Sequence, residues 1–326
     1  MSCRAPIGYV AIAREPMTTN QGCKALIPVQ CVDSRFVRYQ LEAAGAALES
    51  KGRGSTFTEI STQALAEFPV ALPEFNMQRR VADMLDRETA SIDDLIAKNE
   101  NVQLLLTSRW QSSLEQRIFV ELEAERCPLW LICDITPGNA FATEDFLHGG
   151  GPVRLLRGIN VGVGRVDWSE TVYTSTKTAD SVPSFRLEAG DIVLGMDRPW
   201  ISGGLRVARI GPQDLPASLV QRVARLRPRD GLDPDYLYLA LQSRRFFSTF
   251  EPAMTGVSVP HVSGGQIGDF RVPLPDAETQ KAVVAALHMA RAEISRLKHL
   301  VQHQTDLLRT RRQALITAAV TGRIDV

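Results

Sequence analysis

The chain contains one long internal repeat, and that repeat constrains its fold more than its composition does. The segment FPVALPEFNMQRRVADML from Phe68 returns as FRVPLPDAETQKAVVAAL from Phe270, so that Pro73 falls on Pro275 about 202 positions later. At that offset Phe68, Val70 and Leu72 meet Phe270, Val272 and Leu274, and Gln78, Val81 and Leu85 meet Gln280, Val283 and Leu287. The match runs forward through Ile92 on Ile294, Leu95 on Leu297, Arg109 on Arg311 and Gln111 on Gln313. It runs backward through Leu65 on Ile267, Ser61 on Ser263 and Gly54 on Gly256. Solenoid repeats recur every ~20–50 residues; a period this long means a duplicated globular unit.

Each copy leads into helical sequence. No proline or glycine interrupts 77–118 or 277–320, so two helices of about 40 residues, roughly 60 Å each at 1.5 Å per residue, are expected. In the second, Val283, Leu287, Ala290, Ile294, Leu297, Val301, Gln304, Leu308, Arg311 and Leu315 step by alternating four and three, the seam of a coiled coil. The first gives Val81, Leu85, Glu88, Ile92, Leu95, Asn99, Val102, Leu106, Arg109 and Ser113, a weaker seam in the same phase. Helices this long outrun one small globule, so each is the natural partner of the other, with Asn99 as a register-setting polar residue.

Between the helices the texture changes. Residues 126–275 carry short apolar runs at Val153–Ile159, Val166–Tyr173, Asp191–Met196 and Leu205–Ile210, separated by glycine and proline. These read as strands. Asp233–Phe247 reads as a helix with Asp233 as N-cap and Pro234 at its first position. The fold class is α+β, with globular mixed α/β domains alternating with two long helices. The expected boundaries are a partial first globule at 1–76, a helix at 77–125, a second globule at 126–276 and a helix at 277–326. Cys3–Ile12 resembles Asp197–Ile210 in pattern, so the first globule is expected to lack a counterpart of 126–195 and its leading strand to lack sheet neighbours.

The chain resembles the DNA-specificity subunits of type I restriction–modification enzymes. The resemblance rests on QRRVADMLDRETASIDDLIAKNE (78–100), on RRQALITAAVTGRIDV (311–326), and on LLRGINVGVGRVD (155–167), LEAGDIVLGMDR (187–198) and RAPIGYVAIAREPMTTNQGCKALIP (4–28). It implies two target-recognition domains and two spacers paired antiparallel. It implies a non-catalytic reader of a two-part site in double-stranded DNA that recruits two modification subunits and, through them, restriction subunits. S-adenosylmethionine, ATP and Mg are then expected on the partners and no cofactor on this chain. The first recognition domain departs from the family pattern by the missing half noted above. Such a chain reads one half-site, is completed by a separate fragment or a second copy, or acts as a non-reading scaffold that competes for the modification subunit.

The residues agree with that division of labour. No GxxxxGK[ST] phosphate loop is present, and no Asn/Asp-Pro-Pro-Tyr/Phe segment of the kind that grips a flipped base. Lysine and arginine balance aspartate and glutamate at 37 each, so phosphate contact requires a local basic face. Candidate DNA contacts in the second domain are Arg154, Arg157, Lys177, Arg198 and Arg206, since arginine pairs bidentately with guanine for about 1–3 kcal/mol of discrimination. In the first they are Lys51, Arg53, Ser55 and Thr56 of SKGRGSTFT. For each, the alternative is a solvated surface charge. Trp110, Trp130, Trp168 and Trp200 stack on bases or fill core. His299 and His303 have the i,i+4 spacing of zinc ligands but no third ligand nearby. The scattered Cys3, Cys23, Cys31, Cys127 and Cys133 suit reduced thiols in the cytoplasm. No apolar run reaches membrane-spanning length and no secretory signal opens the chain.

Overall fold

The computed structural model describes residues 1–53, 58–201, 203–249, 251 and 260–324. The chain folds as two compact units, Met1–Leu105 with Leu297–Val326, and Leu106–Arg296. Each unit holds one globular head and a stretch of both long helices. The helices span Phe75–Leu114, 40 residues, and Ala277–Val320, 44 residues. The first ends in a π-helical turn at Glu115–Val120, the second where expected.

The helices pair antiparallel. In the first unit Arg312 Nε meets Asp93 at 2.8 Å, Asn99 Nδ2 donates to Thr305 Oγ1 at 3.2 Å, and Gln103 Nε2 donates to the Lys298 carbonyl at 2.8 Å. In the second unit the Arg291 guanidinium lies 5.4 Å from the centre of the Trp110 ring. The expected seam needs correction at four positions of the first helix and two of the second. Leu85, Ile92, Asn99 and Leu106 face inward as expected, but the alternate places belong to Thr89, Ile96, Gln103 and Trp110, while Glu88, Leu95, Val102 and Arg109 face solvent. On the partner helix Thr305 and Arg312 replace Gln304 and Arg311. The polar inward residues are satisfied: Thr305 by Asn99 and the Val301 carbonyl, Arg312 by Asp93 and Glu42. Apolar periodicity does not register such positions.

The second head is built on an antiparallel four-stranded sheet with spatial order Cys133–Pro137, Val223–Pro228, Ile192–Gly195, Val207–Arg209. Ile192–Gly195 is buried on both faces, which suits its unbroken apolar sequence. A three-stranded sheet places Val153–Leu156 between Val172–Thr174 and Ala217–Leu219. Arg126–Pro128 pairs antiparallel with Arg271–Pro273, Cys127 opposite Val272. The helix Pro234–Leu241 begins at Asp233, whose side chain accepts from the amides of Asp235 and Tyr236, as expected. The first head is smaller: helices Ser34–Ala43, Gly45–Ser50 and Thr62–Ala66 over a core of Cys3, Ile7, Leu41, Leu48, Ile60 and Leu65.

The repeat survives at the level of single hydrogen bonds. Gln78 and Gln280 are both buried. Gln78 Oε1 accepts from the Asp33 amide at 2.9 Å, and its Nε2 donates to the carbonyls of Pro73, at 2.8 Å, and Cys31, at 3.3 Å. Gln280 Oε1 accepts from the Asp233 amide at 2.7 Å, and its Nε2 donates to Pro275 and Gly231, both at 2.8 Å. Each glutamine thus fastens the start of a long helix to the N-cap of a head helix. A second pair repeats at the far end of each helix: Gln111 Nε2 donates to the Gln242 carbonyl and Gln313 Nε2 to that of Glu42. Each head is gripped by the beginning of its own helix and the end of the other.

Candidate nucleic-acid interface

The cationic candidates of the second head divide into groups. Arg206 projects from between two short strands into the chain. Its Nε donates to the Val161 carbonyl at 3.0 Å, its Nη1 to the Asp197 carbonyl at 2.8 Å, and its Nη2 to the Gly158 carbonyl. Burial pulls its pKa down, against the pull of Asp197 upward. Three of its donors are therefore engaged by the carbonyls of Gly158, Val161 and Asp197, which makes it a residue that holds loops in place. Arg157 serves the same turn: its Nη2 donates to the Glu170 carbonyl at 2.6 Å, a carbonyl that Asn160 also reaches. Arg154 lies elsewhere, its guanidinium 5.4 Å from the Trp168 ring and bonded to the Gln213 carbonyl.

Arg198 is different. It is exposed, with φ of 42°, a conformation a non-glycine residue adopts only under constraint. Its amide donates to the Pro260 carbonyl at 2.7 Å, and beside it lies a cluster centred on Asp197, whose carboxylate accepts from Arg222 Nη1 at 3.0 Å and meets His261 Nδ1 at 2.6 Å. Burial works to raise the Asp197 carboxyl, but the bonds to His261 and Arg222 outweigh it and hold the group below the ordinary aspartate range. Arg222 is exposed and also has positive φ, 70°. Arg198 and Arg222 are thus both exposed and left-handed, with Arg222 paired to the Asp197 carboxylate. Sequence reading missed Arg222 and His261 because backbone strain and a contact across 64 residues leave no local signature.

Lys177 is exposed on the short helix Thr176–Ser181. In the first head Lys51 and Arg53 are exposed, and Arg53 pairs through its backbone with Glu59. Ser55 and Thr56 lie outside the described residues. The tryptophans are mostly engaged: Trp168 Nε1 donates to Asp214 at 2.8 Å, Trp200 packs on Phe247 at 4.8 Å, and Trp110 lies against Arg291. Trp130 is exposed. His299 and His303 are exposed, and no metal-binding group of three or more His, Cys, Asp or Glu occurs among the described residues. No described helix is long and apolar enough to cross a membrane.

Comparison with known proteins places the chain in a family. The family model described as the type I restriction modification DNA specificity domain matches residues 1–105 and 132–302. The chain belongs to this family. The MjaVIII specificity subunit of Methanocaldococcus jannaschii is 24% identical over 312 residues, covering 90% of this chain and 71% of that protein. The EcoAI specificity subunit of Escherichia coli is 30% identical over 179 residues, 55% of this chain but 30% of its own length. A chain from a structural study of complex assembly and conformational transition in a type I R-M system shares the fold, with a TM-score of 0.70, 16% identity and coverage of 89% and 72%. The HsdS subunit of Thermoanaerobacter tengcongensis does so at 0.52 and 19%, covering 90% and 72%. The matched family is a DNA specificity domain, and the curated relatives are specificity subunits of type I restriction enzymes. This chain is one of them and carries DNA recognition, not catalysis.

Proposed function

We propose that each head reads one half of the target and that the paired helices set the distance between the halves. The duplicated glutamine clamp supports this most directly. It fixes each reading head to the start of a long helix through three hydrogen bonds, so helix length is transmitted as spacing, as dimer geometry is in other readers. In the second head Arg198 and Arg222 make the base-edge and phosphate contacts, Lys177 adds a phosphate contact, and Arg206 and Arg157 hold the turn beneath them. Arg154 contacts the backbone from its place on Trp168. In the first head Lys51 and Arg53, with Ser55 and Thr56, take the corresponding role.

Two modification subunits dock on helix faces outside the seam, where Leu104, Leu105, Met289, Leu300 and Leu307 are exposed. Restriction subunits join through them, with S-adenosylmethionine, ATP and Mg bound by the partners and the assembly working in the cytoplasm. The test is methylome sequencing of a host carrying this chain and its modification subunit. A two-part methylated motif is expected, and one half of it should relax in the Arg198→Ala/Arg222→Ala variant. Absence of any motif, with the modification subunit still co-purifying, would replace this reading with that of a scaffold that does not read DNA.

A further inference from the structure

Two loops of the second head and the turn at Arg222 meet around one side chain. Arg206 donates to the carbonyls of Val161 and Asp197, at 3.0 and 2.8 Å, and to that of Gly158. The turn Gly158–Asn160 lies beside Arg222 as well, since a Cβ built on Gly158 would stand 3.9 Å from the Arg222 carbonyl oxygen. The hairpin of Trp200–Ile201 with Gly204–Leu205 closes on the same loops. The Gly164 amide donates to the Val207 carbonyl at 2.9 Å, and the Val163 methyls come within 3.6 Å of where a Cβ on Gly203 or Gly204 would stand. These loops carry branched apolar side chains at their surface: Ile159 is 56% exposed, Val163 39% and Ile201 43%. Glycine flanks two of them. Val163 sits between Gly162 and Gly164, and Ile201 pairs with Gly204. Gly164 and Gly204 have φ of 75° and 125°, a region open to glycine at no steric cost. Arg165, Arg198 and Arg222 are exposed on the same loops and turn.

Single exposed apolar residues are ordinary on a protein surface. Three on loops pinned by one arginine, interleaved with three exposed cations, select a partner that offers negative charge and apolar atoms side by side. The major groove of DNA does so wherever thymine occurs, because the C5-methyl group projects into the groove between the phosphate strands. We propose that this loop cluster reads thymine, with at least one of Ile159, Val163 and Ile201 packed on the C5-methyl of a thymine in the half-site bound by the second head. The inference rests on the reading that this head binds DNA through Arg198 and Arg222. Those arginines recognise guanine and phosphate by hydrogen bonds, whereas a methyl group is reported only by apolar contact. The glycines let the loop backbone approach the groove closely. Arg206 holds the loops in place, so that a deleted methyl leaves a gap rather than a repacked contact.

The experiment uses the complex of this chain with its modification subunit and a duplex carrying the motif found by methylome sequencing. In the half that relaxes in the Arg198→Ala/Arg222→Ala variant, each thymine is replaced in turn by deoxyuridine, which removes the methyl and keeps every hydrogen-bonding group. Binding at fixed salt should weaken about three- to fivefold at one position or more, the scale of one buried methyl. Among the Ile159→Ala, Val163→Ala and Ile201→Ala variants, at least one should bind the thymine and deoxyuridine duplexes equally while melting like the parent. A residue with a structural role alone would not move that ratio. A half-site without thymine on either strand, or equal affinity of the parent complex for both duplexes, would overturn the proposal. So would discrimination that survives in all three variants, and release of the modification subunit from them would then make the cluster a protein contact. Absence of any motif, or relaxation of neither half in the arginine variant, would instead remove the reading on which the proposal rests, and the proposal with it.

Discussion

The two heads share a frame and differ in what covers it. Both have the buried glutamine, the capping aspartate and the serine-capped short helix after it, Ser61 accepting from the Ala64 amide and Ser263 from that of Gln266. The second head stands on a four-stranded sheet, whereas residues 1–53 of the first form no named strand among the described residues, only isolated bridges. Tyr9, Met17, Ile27 and Val29 are accordingly exposed, Ile27 at 88%. The same bonds in such different surroundings show that the junction of head and helix is a local construction. It needs a helix start, an N-cap and one glutamine, and it does not need the sheet.

The sharpest way to break the comparison is to place a charge on the equivalent edges. Val272 is fully buried under Arg126–Pro128 and Val70 is not covered. Val272→Asp should cost about 3–5 kcal/mol, since a buried carboxylate is left without a partner. Val70→Asp should stay within about 0.5 kcal/mol, as surface substitutions do. Urea melts of the two variants measure both, and equal costs would mean that the first edge is as closed as the second.

The clamps should respond alike. Gln280→Ala strands the Asp233 amide and two carbonyls, and Gln78→Ala does the same to Asp33, Pro73 and Cys31. Leaving such groups buried and unpaired costs about 1–3 kcal/mol each at most, partly relieved by water. A loss of about 2–3 kcal/mol is expected for Gln280→Ala and slightly less for Gln78→Ala, whose bond to Cys31 is long. Hydrogen exchange at the head helices would localise it. A large loss in one unit alone would show that the repeat is conserved in form but not in energetics.

Arg198 and Arg206 test contact against positioning within one head. Arg198→Ala should lower DNA affinity by about 1–3 kcal/mol, five- to 150-fold, with unchanged melting. Arg206→Ala should lower melting as well, because three carbonyls lose their donor. Filter binding at fixed salt, paired with thermal melts, separates the two. Equal melting for both variants would return Arg206 to the list of direct contacts.

Much of the frame was legible in the sequence because repetition needs no physical theory to detect. Gln78 against Gln280 and the Asp233 cap were visible as letters, and the structure supplied the bonds that explain them. The seam was half legible. Every seventh residue, Leu85 through Leu106, was right, but Thr89, Gln103 and Thr305 face inward by hydrogen bonding, which apolar periodicity cannot weigh. The interface was least legible. Arginine content pointed to Arg198 and Arg206 equally, and only the backbone distinguishes a strained exposed residue from one whose donors are consumed by carbonyls.

The smallest expected effect concerns one bridge built with opposite charges. In the first head Arg4 pairs with Glu59 at 3.0 Å, and both are exposed. At the equivalent place in the second, Asp197 pairs with His261, the counterpart of Glu59, and with Arg222. The Asp197 carboxyl is held below its ordinary value, so its contribution is fully present above the unfolded pKa of about 4 and is lost as pH falls through the folded one. Asp197→Asn should therefore destabilise the second unit by about 1–2 kcal/mol at neutral pH. The difference from the parent chain should shrink toward zero as the solution is acidified, because the parent's carboxylate is then protonated too. Glu59→Gln should change stability by less than about 1 kcal/mol at neutral pH, as exposed pairs do. A difference for Asp197→Asn that persists undiminished in acid would mean that shape at this bridge matters more than charge, and would make the two heads more alike than their ionisable groups suggest.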